Sequence, residues 1–498
     1  METNEAAGLS LQSRTLCHRV AGLCSAITFG EKHLTDQLDS LVRSLGEPLR
    51  IAFAGRVSMG KSTLVNALLN APVAPTGDRE TTRVVTQFEN GEFEHVELSL
   101  RDGTSRQAFL TPEGVLPAAY PVATEDIRQV TARLPYAPLL RRVTLIDTPG
   151  LESVNQEASS RTTEALFSLD SRDAVASADA LVYLMRTDSA ADATAISAFN
   201  ELTSSDLCAL NAVGVLNCKT EHPVADYYPT ARRLKSEHVF RNRVADVIPV
   251  AGLLAFTAGS AMLSQDDAAA LRKLGAGGDD LLIDVDGYLE AECDVTREER
   301  QRFLDLLGFS GLHMALRAIR SDAIDSGDIN SVLLKLSGLP QLLDIIDGTF
   351  ANCADQIKAG RALAAVTRLS YQTEPESGHR VRVMIERLRA DPGMHGIQEL
   401  WALQQCARPD TDHPEWITAE LARVAAGSTG SAKTGLPADA PLKEILEAAR
   451  NGAARAHSYA ATLSVTRPEY QVAEILRRSY TNVYRESARA DYRSLDGG

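Results

Sequence analysis

The stretch Leu49-Arg-Ile-Ala-Phe-Ala-Gly55-Arg-Val-Ser-Met-Gly-Lys-Ser62 joins a short apolar run to a glycine-rich loop. The apolar run predicts a buried strand, and the loop matches the pattern G-x-x-x-x-G-K-[ST] in full. The residues that follow, Thr63-Leu-Val-Asn-Ala-Leu-Leu69, predict a helix. Glycines let such a loop turn its backbone N–H groups around phosphate oxygens, and the helix N-terminus adds a favourable dipole. The segment therefore predicts a strand, a phosphate-binding loop and a helix.

Two side chains of this loop carry the chemistry of phosphate binding. Lys61 is expected to reach the β- and γ-phosphates of a nucleotide, and the Ser62 hydroxyl is expected to bind Mg²⁺. The predicted phosphate-binding residues are Gly55, Met59, Gly60, Lys61, Ser62 and Thr63.

A second motif, Asp147-Thr-Pro-Gly150, directly follows the strand-like run at 143–146. An aspartate at a strand end can hold the Mg²⁺ shell, and the N–H of Gly150 can sense a γ-phosphate. By itself D-T-P-G is an ordinary turn. Together with the phosphate-binding loop it points to the GTPase branch of P-loop proteins, with GTP or GDP and Mg²⁺ as ligands.

A mobile threonine is the third candidate. A threonine between the first helix of a GTPase and the next strand can complete the Mg²⁺ coordination and position the attacking water. Thr82 is preferred and Thr81 competes with it. The predicted Mg²⁺ ligands are therefore Ser62, Thr82 and Asp147, and Lys61 and Thr82 are predicted to take part in catalysis.

The base-recognition motif is degenerate. Asn217-Cys-Lys-Thr-Glu-His222 follows the strand-like run at 212–216, where GTPases carry Asn or Thr, then Lys-x-Asp. Read from Asn217, the motif lacks both the lysine and the aspartate. Read from the next residue, it keeps Lys219 and replaces the aspartate by Glu221, so we expect loose guanine selectivity. The turn at 250–252 is a further candidate for the base pocket.

The hydrophobic pattern divides the rest of the chain. Residues 9–46 have apolar side chains at helical spacing, the chain then alternates strand-like and helical runs to about residue 260, and beyond about 265 only helical periodicity remains. Strand-like runs lie at 84–88, 96–100, 143–146, 180–185, 212–216 and 247–250. We predict an α/β P-loop domain with helices on both faces of its sheet, followed by an all-α region. The predicted domains are residues 1–46, 47–265 and 266–498.

Composition narrows the class of function. The chain has 51 Lys and Arg against 66 Asp and Glu, a formal net charge of −15, and only 5% aromatic residues. This balance argues against a nucleic-acid partner and against charge-driven coating of anionic membranes. The seven cysteines show no zinc spacing, and the acidic N-terminus has no signal-peptide core. We expect a reduced, cytoplasmic chain. The low-complexity stretch 427–441 predicts a flexible loop.

The P-loop context, Asp147-Thr-Pro-Gly150, Pro249-Val-Ala-Gly-Leu-Leu254 and the Ser337-Gly-Leu helix together resemble the isoniazid-inducible family of bacterial dynamin-like proteins. The resemblance runs from about residue 40 to 370 and continues more loosely to the C-terminus. The long insertion at 89–140 is also similar to dynamin-type GTPase domains.

The resemblance implies a large GTPase whose flanking helices form a neck and trunk stalk, with the N-terminal helix in the neck. It also implies pairing of GTP-bound heads or with a related dynamin-like subunit, and peripheral contact at the inner face of the membrane. Ser58 matches the serine that offsets developing charge in this family and is therefore a third predicted catalytic residue. Val57 stands where dynamins have a water-holding glutamine, so slow turnover is expected.

Three hypotheses follow. The chain is a dynamin-like GTPase that remodels or maintains membranes, a soluble regulatory GTPase with a helical effector surface, or a weakly hydrolysing GTP-binding scaffold that pairs with a related subunit.

Overall fold

The structure is a computed structural model. It describes residues 16–56, 59–76, 84–149, 177–185, 209–218, 224–237, 240–241, 243–276, 284–320, 328–408, 411, 413–462 and 466–495.

Within these ranges the α/β region contains one mixed sheet of nine strands, in the order β4-β3-β5-β2-β6-β1-β7-β8-β9. The strands are β1 (Leu49–Gly55), β2 (Thr86–Asn90), β3 (His95–Leu100), β4 (Ser105–Ala108), β5 (Ile127–Leu134), β6 (Val143–Asp147), β7 (Ala180–Met185), β8 (Ala212–Asn217) and β9 (Val247–Val250). β6, β1, β7, β8 and β9 are parallel. β2 runs antiparallel to β6, and β3 runs antiparallel to both β4 and β5.

Helices make up most of the remaining described residues. They are α1 (16–25), α2 (Lys32–Gly46), α3 (Lys61–Leu69), α4 (Tyr228–Ser236), α5 (Gly252–Gly259), α6 (Gln265–Ala276), α7 (Val285–Glu290), α8 (Arg297–Arg320), α9 (Ile329–Leu336), α10 (Leu339–Ile345), α11 (Ala354–Leu369), α12 (Pro375–Ala390), α13 (His395–Cys406), α14 (Glu415–Ala426), α15 (Gly430–Thr434), α16 (Leu442–Ala460) and α17 (Arg467–Leu495). A wider helical turn, Ile346–Ala351, joins α10 to α11, and α8 bends at Gly308.

The predicted fold class is confirmed: an α/β P-loop region is followed by an all-α region. Strand β1 shows why helices cover both faces of the sheet. Ile51 and Phe53 pack into one hydrophobic core, and Ala52 and Ala54 pack into the other. Successive side chains of a strand point to opposite faces, so a continuous apolar run requires both faces to be covered.

Two local features differ from the expected pattern. The 89–140 insertion contains two strands, β4 and β5, in addition to the predicted strand at 96–100. The stretch 427–441 is not an irregular loop throughout, because it contains helix α15. Thr429 caps α15 by accepting a hydrogen bond from the Ala432 N–H, and Ser431 is buried. Short capped helices of this kind lack the apolar periodicity that predicts longer ones.

An apolar stripe that runs along α10 and the wider turn after it links the sheet to the helical region. Leu339, Leu342, Ile346 and Phe350 are at most 3% exposed and belong to the same core as Phe53. That core continues through α11, α13 and α17. No single described helix is long and apolar enough to span a membrane. One bent pair, Ile329–Leu336 with Leu339–Ala351, passes by length and composition, at an angle of 61°.

Two buried charges of α11 hold the N-terminal helices. The Asp355 carboxylate accepts hydrogen bonds from the Leu16 and Cys17 N–H groups, at 3.0 and 3.1 Å, at the first described residues of α1. The Lys358 ammonium donates to the carbonyl oxygens of Leu45, at 3.2 Å, and Glu47, at the end of α2. Cations are favourable at helix C-termini. Lys358 therefore fixes the C-terminal end of α2 against α11, and Asp355 holds the first described residues of α1 against the same helix.

Asp355 makes the stability of this contact depend on pH. Burial raises the pKa of Asp355 above its ordinary value of 3.8, so the folded protein binds this proton more tightly than the unfolded chain does. Its contribution to the free energy of unfolding therefore falls as the pH rises from the unfolded to the folded pKa, and is constant above that interval. We expect the free-energy difference between the parent and Asp355→Asn to decline across the interval in urea unfolding at a series of pH values.

The control is Asp391→Asn, which removes an exposed ion pair, 2.5 Å long, to Arg19 on α1. Subtracting that variant's profile isolates the buried carboxylate. A difference that grows with pH over the same interval would contradict the assignment.

Candidate functional site

The parallel strands bring the predicted motifs to one edge of the sheet. In the register of β1, Phe53 lies opposite Asp147 on β6 and Gly55 lies opposite Leu184 on β7. On the next strand, Asn217 ends β8. The carboxyl ends of parallel strands form the usual ligand crevice of an α/β sheet. The P-loop, the aspartate motif and the start of the base motif therefore meet there.

The P-loop needs its first glycine for space. A Cβ on Gly55 would lie 2.6 Å from the Leu184 carbonyl oxygen, closer than real Cβ atoms approach. Gly60, with φ 85°, directly precedes α3. The Lys61 ammonium is buried and donates hydrogen bonds to the carbonyl oxygens of Gly55 and Arg56, at 3.2 and 3.1 Å. This lysine thus lies against the loop, with its charge at the end of strand β1.

Ser62 and Asp147 are in direct contact. The Ser62 hydroxyl donates a hydrogen bond of 2.8 Å to Asp147 Oδ2, across 85 residues of sequence, and Asp147 is only 1% exposed. The next residue, Thr148, donates from its hydroxyl to the Phe53 carbonyl oxygen at 2.8 Å, which fixes the end of β6 beside β1. A hydroxyl and a carboxylate oxygen at the start of α3 form a donor set that suits Mg²⁺. The structure thus brings together two of the three predicted metal ligands.

Asn217 has a role that the motif analysis missed. Its side-chain amide donates to the Met59 carbonyl oxygen and so joins the end of β8 to the P-loop. The available signal was an asparagine directly after a buried strand at the position where the base motif begins. The next residue, Cys218, is held by a hydrogen bond from its N–H to the Val250 carbonyl oxygen at 2.9 Å. Burial raises the pKa of the Cys218 thiol to about 12, so this thiol stays protonated at neutral pH.

The segment 249–254 and the start of the Ser337-Gly-Leu helix, which contributed most to the family resemblance, are in contact. The Ala251 N–H, directly after β9, donates to the Ser337 carbonyl oxygen at 2.9 Å. Gly338 lies against β9 with φ 80°, and a Cβ there would be 2.1 Å from the Pro249 carbonyl oxygen. On the other side, Gly252 begins α5 next to Leu64 of α3, with 3.8 Å between a built Cβ and the Leu64 nitrogen. The turn between α9 and α10 is therefore coupled by contact to the strand beside the P-loop helix.

Several predicted site residues lie outside the described part of the chain. They are Ser58, Thr82, Gly150, Lys219 and Glu221, together with Val57 and Thr81. Their roles stay predictions, as do the domain boundaries. The predicted residues that the structure places at the carboxyl edge of the sheet are Gly55, Met59, Gly60, Lys61, Ser62, Thr63 and Asp147.

Comparisons with known proteins agree with this arrangement. The model of the Dynamin family matches residues 51–216, which include the P-loop, Asp147 and the end of β8 near Asn217. Isoniazid-induced protein IniC of Mycobacterium tuberculosis (strain ATCC 25618 / H37Rv) is 33% identical over 424 residues, which cover 81% of this chain and 83% of IniC. Isoniazid-induced protein IniA of the same strain is 30% identical over 225 residues, covering 41% of this chain and 31% of IniA.

Among solved structures, one described as an oligomerised bacterial dynamin pair for the long-range sensing and tethering of membranes covers 97% of this chain and 92% of its own. It has 12% sequence identity and a TM-score of 0.34. The assignment rests instead on the identity to IniC over most of both chains, together with the Dynamin family match. By these two findings, the chain belongs to the IniC-like family of bacterial dynamin-like proteins, within the dynamin-like GTPases.

Proposed function

We propose that this protein binds and hydrolyses GTP with Mg²⁺ and couples the cycle to a conformational change of its helical region, for membrane remodelling or maintenance. The observation that carries the proposal is the Ser62–Asp147 hydrogen bond beside the buried Lys61, at the carboxyl edge of the sheet. The lysine can pair with the phosphates of a nucleotide, and the hydroxyl and carboxylate can bind the cation that accompanies them.

The proposed roles follow from chemistry. The P-loop N–H groups and Lys61 bind the phosphates, while Ser62 and Asp147 hold the cation and, with Thr82, complete its ligands. When bound, Mg²⁺ neutralises charge on the β- and γ-phosphate oxygens. Ser58 offsets charge that develops in the transition state. In the same proposal Gly150 senses the γ-phosphate, and Lys219 and Glu221 contact the base.

The contact between Ala251 and Ser337 supports the proposed coupling. A shift of β9 or α3 on nucleotide binding would displace the turn before α10. The hydrophobic core that contains the α10 side chains extends into the helical region, so the displacement would reach that region. Packed cores transmit such displacements because they have little free volume.

The proposed partners are a second head or a related dynamin-like subunit, and the membrane. The proposed location is the cytoplasm, peripheral at the inner membrane face, with no nucleic-acid partner. A net charge of −15 means that an anionic lipid surface repels most of the chain. Membrane contact would therefore be confined to a small local surface or supplied by a partner.

The alternative is a GTP-binding scaffold or soluble regulator that hydrolyses slowly. Val57 in place of a water-holding glutamine and Glu221 in place of the base-binding aspartate favour it. Hydrolysis and lipid binding therefore have to be measured separately.

Phosphate release from GTP tests the chemistry. We expect hydrolysis that requires Mg²⁺ and is lowered on the order of 100-fold by Ser62→Ala, because the variant loses a cation ligand. Ser44→Ala, which removes a hydroxyl on α2 that donates to the Leu41 carbonyl oxygen, should retain full activity. ATP that competes as well as GTP would refute the role of Glu221.

Co-sedimentation with vesicles of phosphatidylethanolamine and phosphatidylglycerol tests the membrane role. We expect more protein on the vesicles with a non-hydrolysable GTP analogue than without nucleotide. GTP hydrolysis without lipid binding in either state would favour the soluble regulator.

A further inference from the structure

A cavity of about 710 Å³ lies where helices α11, α12, α13 and α17 meet the sheet. Its sheet side is formed by Asp179 and Asn211, which directly precede strands β7 and β8. These are the amino ends of strands whose carboxyl ends reach the P-loop, so the cavity is at the edge of the sheet opposite the nucleotide site. Its volume is in the range of about 300–1,000 Å³ that is typical of small-molecule sites.

The wall of the cavity is mixed, and one part of it is apolar. Leu363, Ile397 and Leu400 line it and are at most 9% exposed. Trp401 also lines it and is 36% exposed, and Tyr470, another lining residue, is 49% exposed. Exposed aromatic side chains beside a buried aliphatic floor favour a ligand with a hydrocarbon body.

Two arginines of α11 add positive charge to one wall of the cavity. Arg361 and Arg368 both line the cavity and are seven residues apart, which places them on the same face of the helix. Arg361 donates 2.7 Å hydrogen bonds to Asp179 Oδ1 and to the Ser177 carbonyl oxygen. Arg368 is an exposed residue, and its guanidinium makes no hydrogen bond or ion pair with any residue that the structure describes. Partial desolvation and the nearby Arg361 lower the pKa of Arg368.

The other charges at the cavity are already paired. The Arg389 guanidinium is 3.1 Å from Glu386, and Glu474 is 2.8 Å from Arg477. An anion that enters the cavity would therefore meet Arg368 as the available cation among the described lining residues.

We propose that this cavity binds a single-chain amphiphile with an anionic head group. The hydrocarbon chain packs against Leu363, Ile397 and Leu400, and a carboxylate or phosphate head pairs with Arg368. A free fatty acid and a single-chain phosphate ester share this chemistry. The site is independent of the proposed GTPase cycle, since it lies at the other edge of the sheet.

The two tryptophans of the chain make a direct assay available. Trp401 lines the cavity, and Trp416 lies elsewhere, against Tyr459 and Arg455. In Trp416→Phe, tryptophan fluorescence reports on Trp401 alone. This background is titrated with dodecanoate, dodecyl phosphate and dodecanol, each below its micellar concentration.

We expect a saturable change in Trp401 fluorescence with at least one of the two anions, and affinity at least about tenfold weaker for dodecanol, which lacks the charge. The tighter of the two anions identifies the head group. Adding Arg368→Gln should weaken the anion about tenfold and leave dodecanol unchanged. Arg380→Gln, on the exposed surface of α12, is the matched control and should change neither.

A second variant covers the case in which Arg368 also affects folding. Ala364→Phe, at a half-buried lining position, places an aromatic ring in the cavity and should weaken binding of all three compounds. Thermal unfolding of each variant shows that the chain is folded. Absence of a saturable signal with both anions, or equal anion affinity in Arg368→Gln and Arg380→Gln, would overturn the proposal.

Discussion

Replacing Lys61 by alanine is expected to lower nucleotide affinity about 10–100-fold and GTP turnover by at least about 100-fold. Hydrogen bonds to charged groups contribute about 1.5–3 kcal/mol each, and loss of one preorganised transition-state contact typically costs about 100-fold or more in rate. Lys61 is buried beside the P-loop and supplies positive charge there. The measurements are binding of a fluorescent GTP analogue and release of phosphate.

The same chain offers a matched control for the structural cost of deleting a buried lysine. Lys358 is as buried as Lys61, at 6% exposure, and its ammonium also donates to two backbone carbonyl oxygens. It lies on α11, in contact with the end of α2. We expect Lys358→Ala to lower the free energy of unfolding while nucleotide affinity stays at the parent value. Equal loss of nucleotide affinity in both variants would refute the phosphate-binding role of Lys61.

Replacing Gly338 by alanine is expected to lower the free energy of unfolding strongly. A Cβ there would lie 2.1 Å from the Pro249 carbonyl oxygen, and the backbone has φ 80°, in the left-handed region. Left-handed strain in a non-glycine residue costs about 1–3 kcal/mol, and displacement of packed neighbours costs a further 1–3 kcal/mol or so. Denaturant unfolding should therefore show a midpoint well below that of the parent.

The control for this substitution is Gly348→Ala, in the wider helical turn between α10 and α11. A Cβ built at Gly348 meets no atom within 4 Å beyond the chain neighbours and backbone of its own helical turn, and its backbone is not left-handed. Alanine there should be neutral or slightly stabilising, because it restricts the unfolded chain. An unfolding midpoint for Gly338→Ala equal to that of Gly348→Ala would contradict the close contact with β9.

Much of the site was predictable from local sequence. The P-loop pattern and the following apolar helix are contiguous, so α3 and strand β1 could be assigned from a few neighbouring residues. Asp147 was identified in the same way, by its place after a buried strand. The apolar spacing from Leu339 onward predicted a core helix. Leu342 in α10 and Phe350 in the wider turn after it are fully buried. Each of these signals is local, because periodicity and backbone geometry act over a few residues.

Other features could not be predicted from the sequence, because they depend on contacts between residues that are far apart along the chain. Strand β4, Ser105–Ala108, is polar and three of its four residues are exposed, so it exists through pairing with β3 rather than through its own pattern. The hydrogen bond from Asn217 to Met59 spans 158 residues. No local rule relates the two positions.

The sequence alone predicted the chemistry of the phosphate-binding loop and determined the α/β-then-helical order of the chain. Only the tertiary structure decided where buried charges lie, such as Asp355 at the first described residues of α1 and Lys358 at the end of α2, each more than 300 residues away in sequence. It also decided that Arg368 lines a partly apolar cavity without a described counterion. The reason is that burial and charge pairing depend on which elements pack together, and this is set by contacts between distant segments.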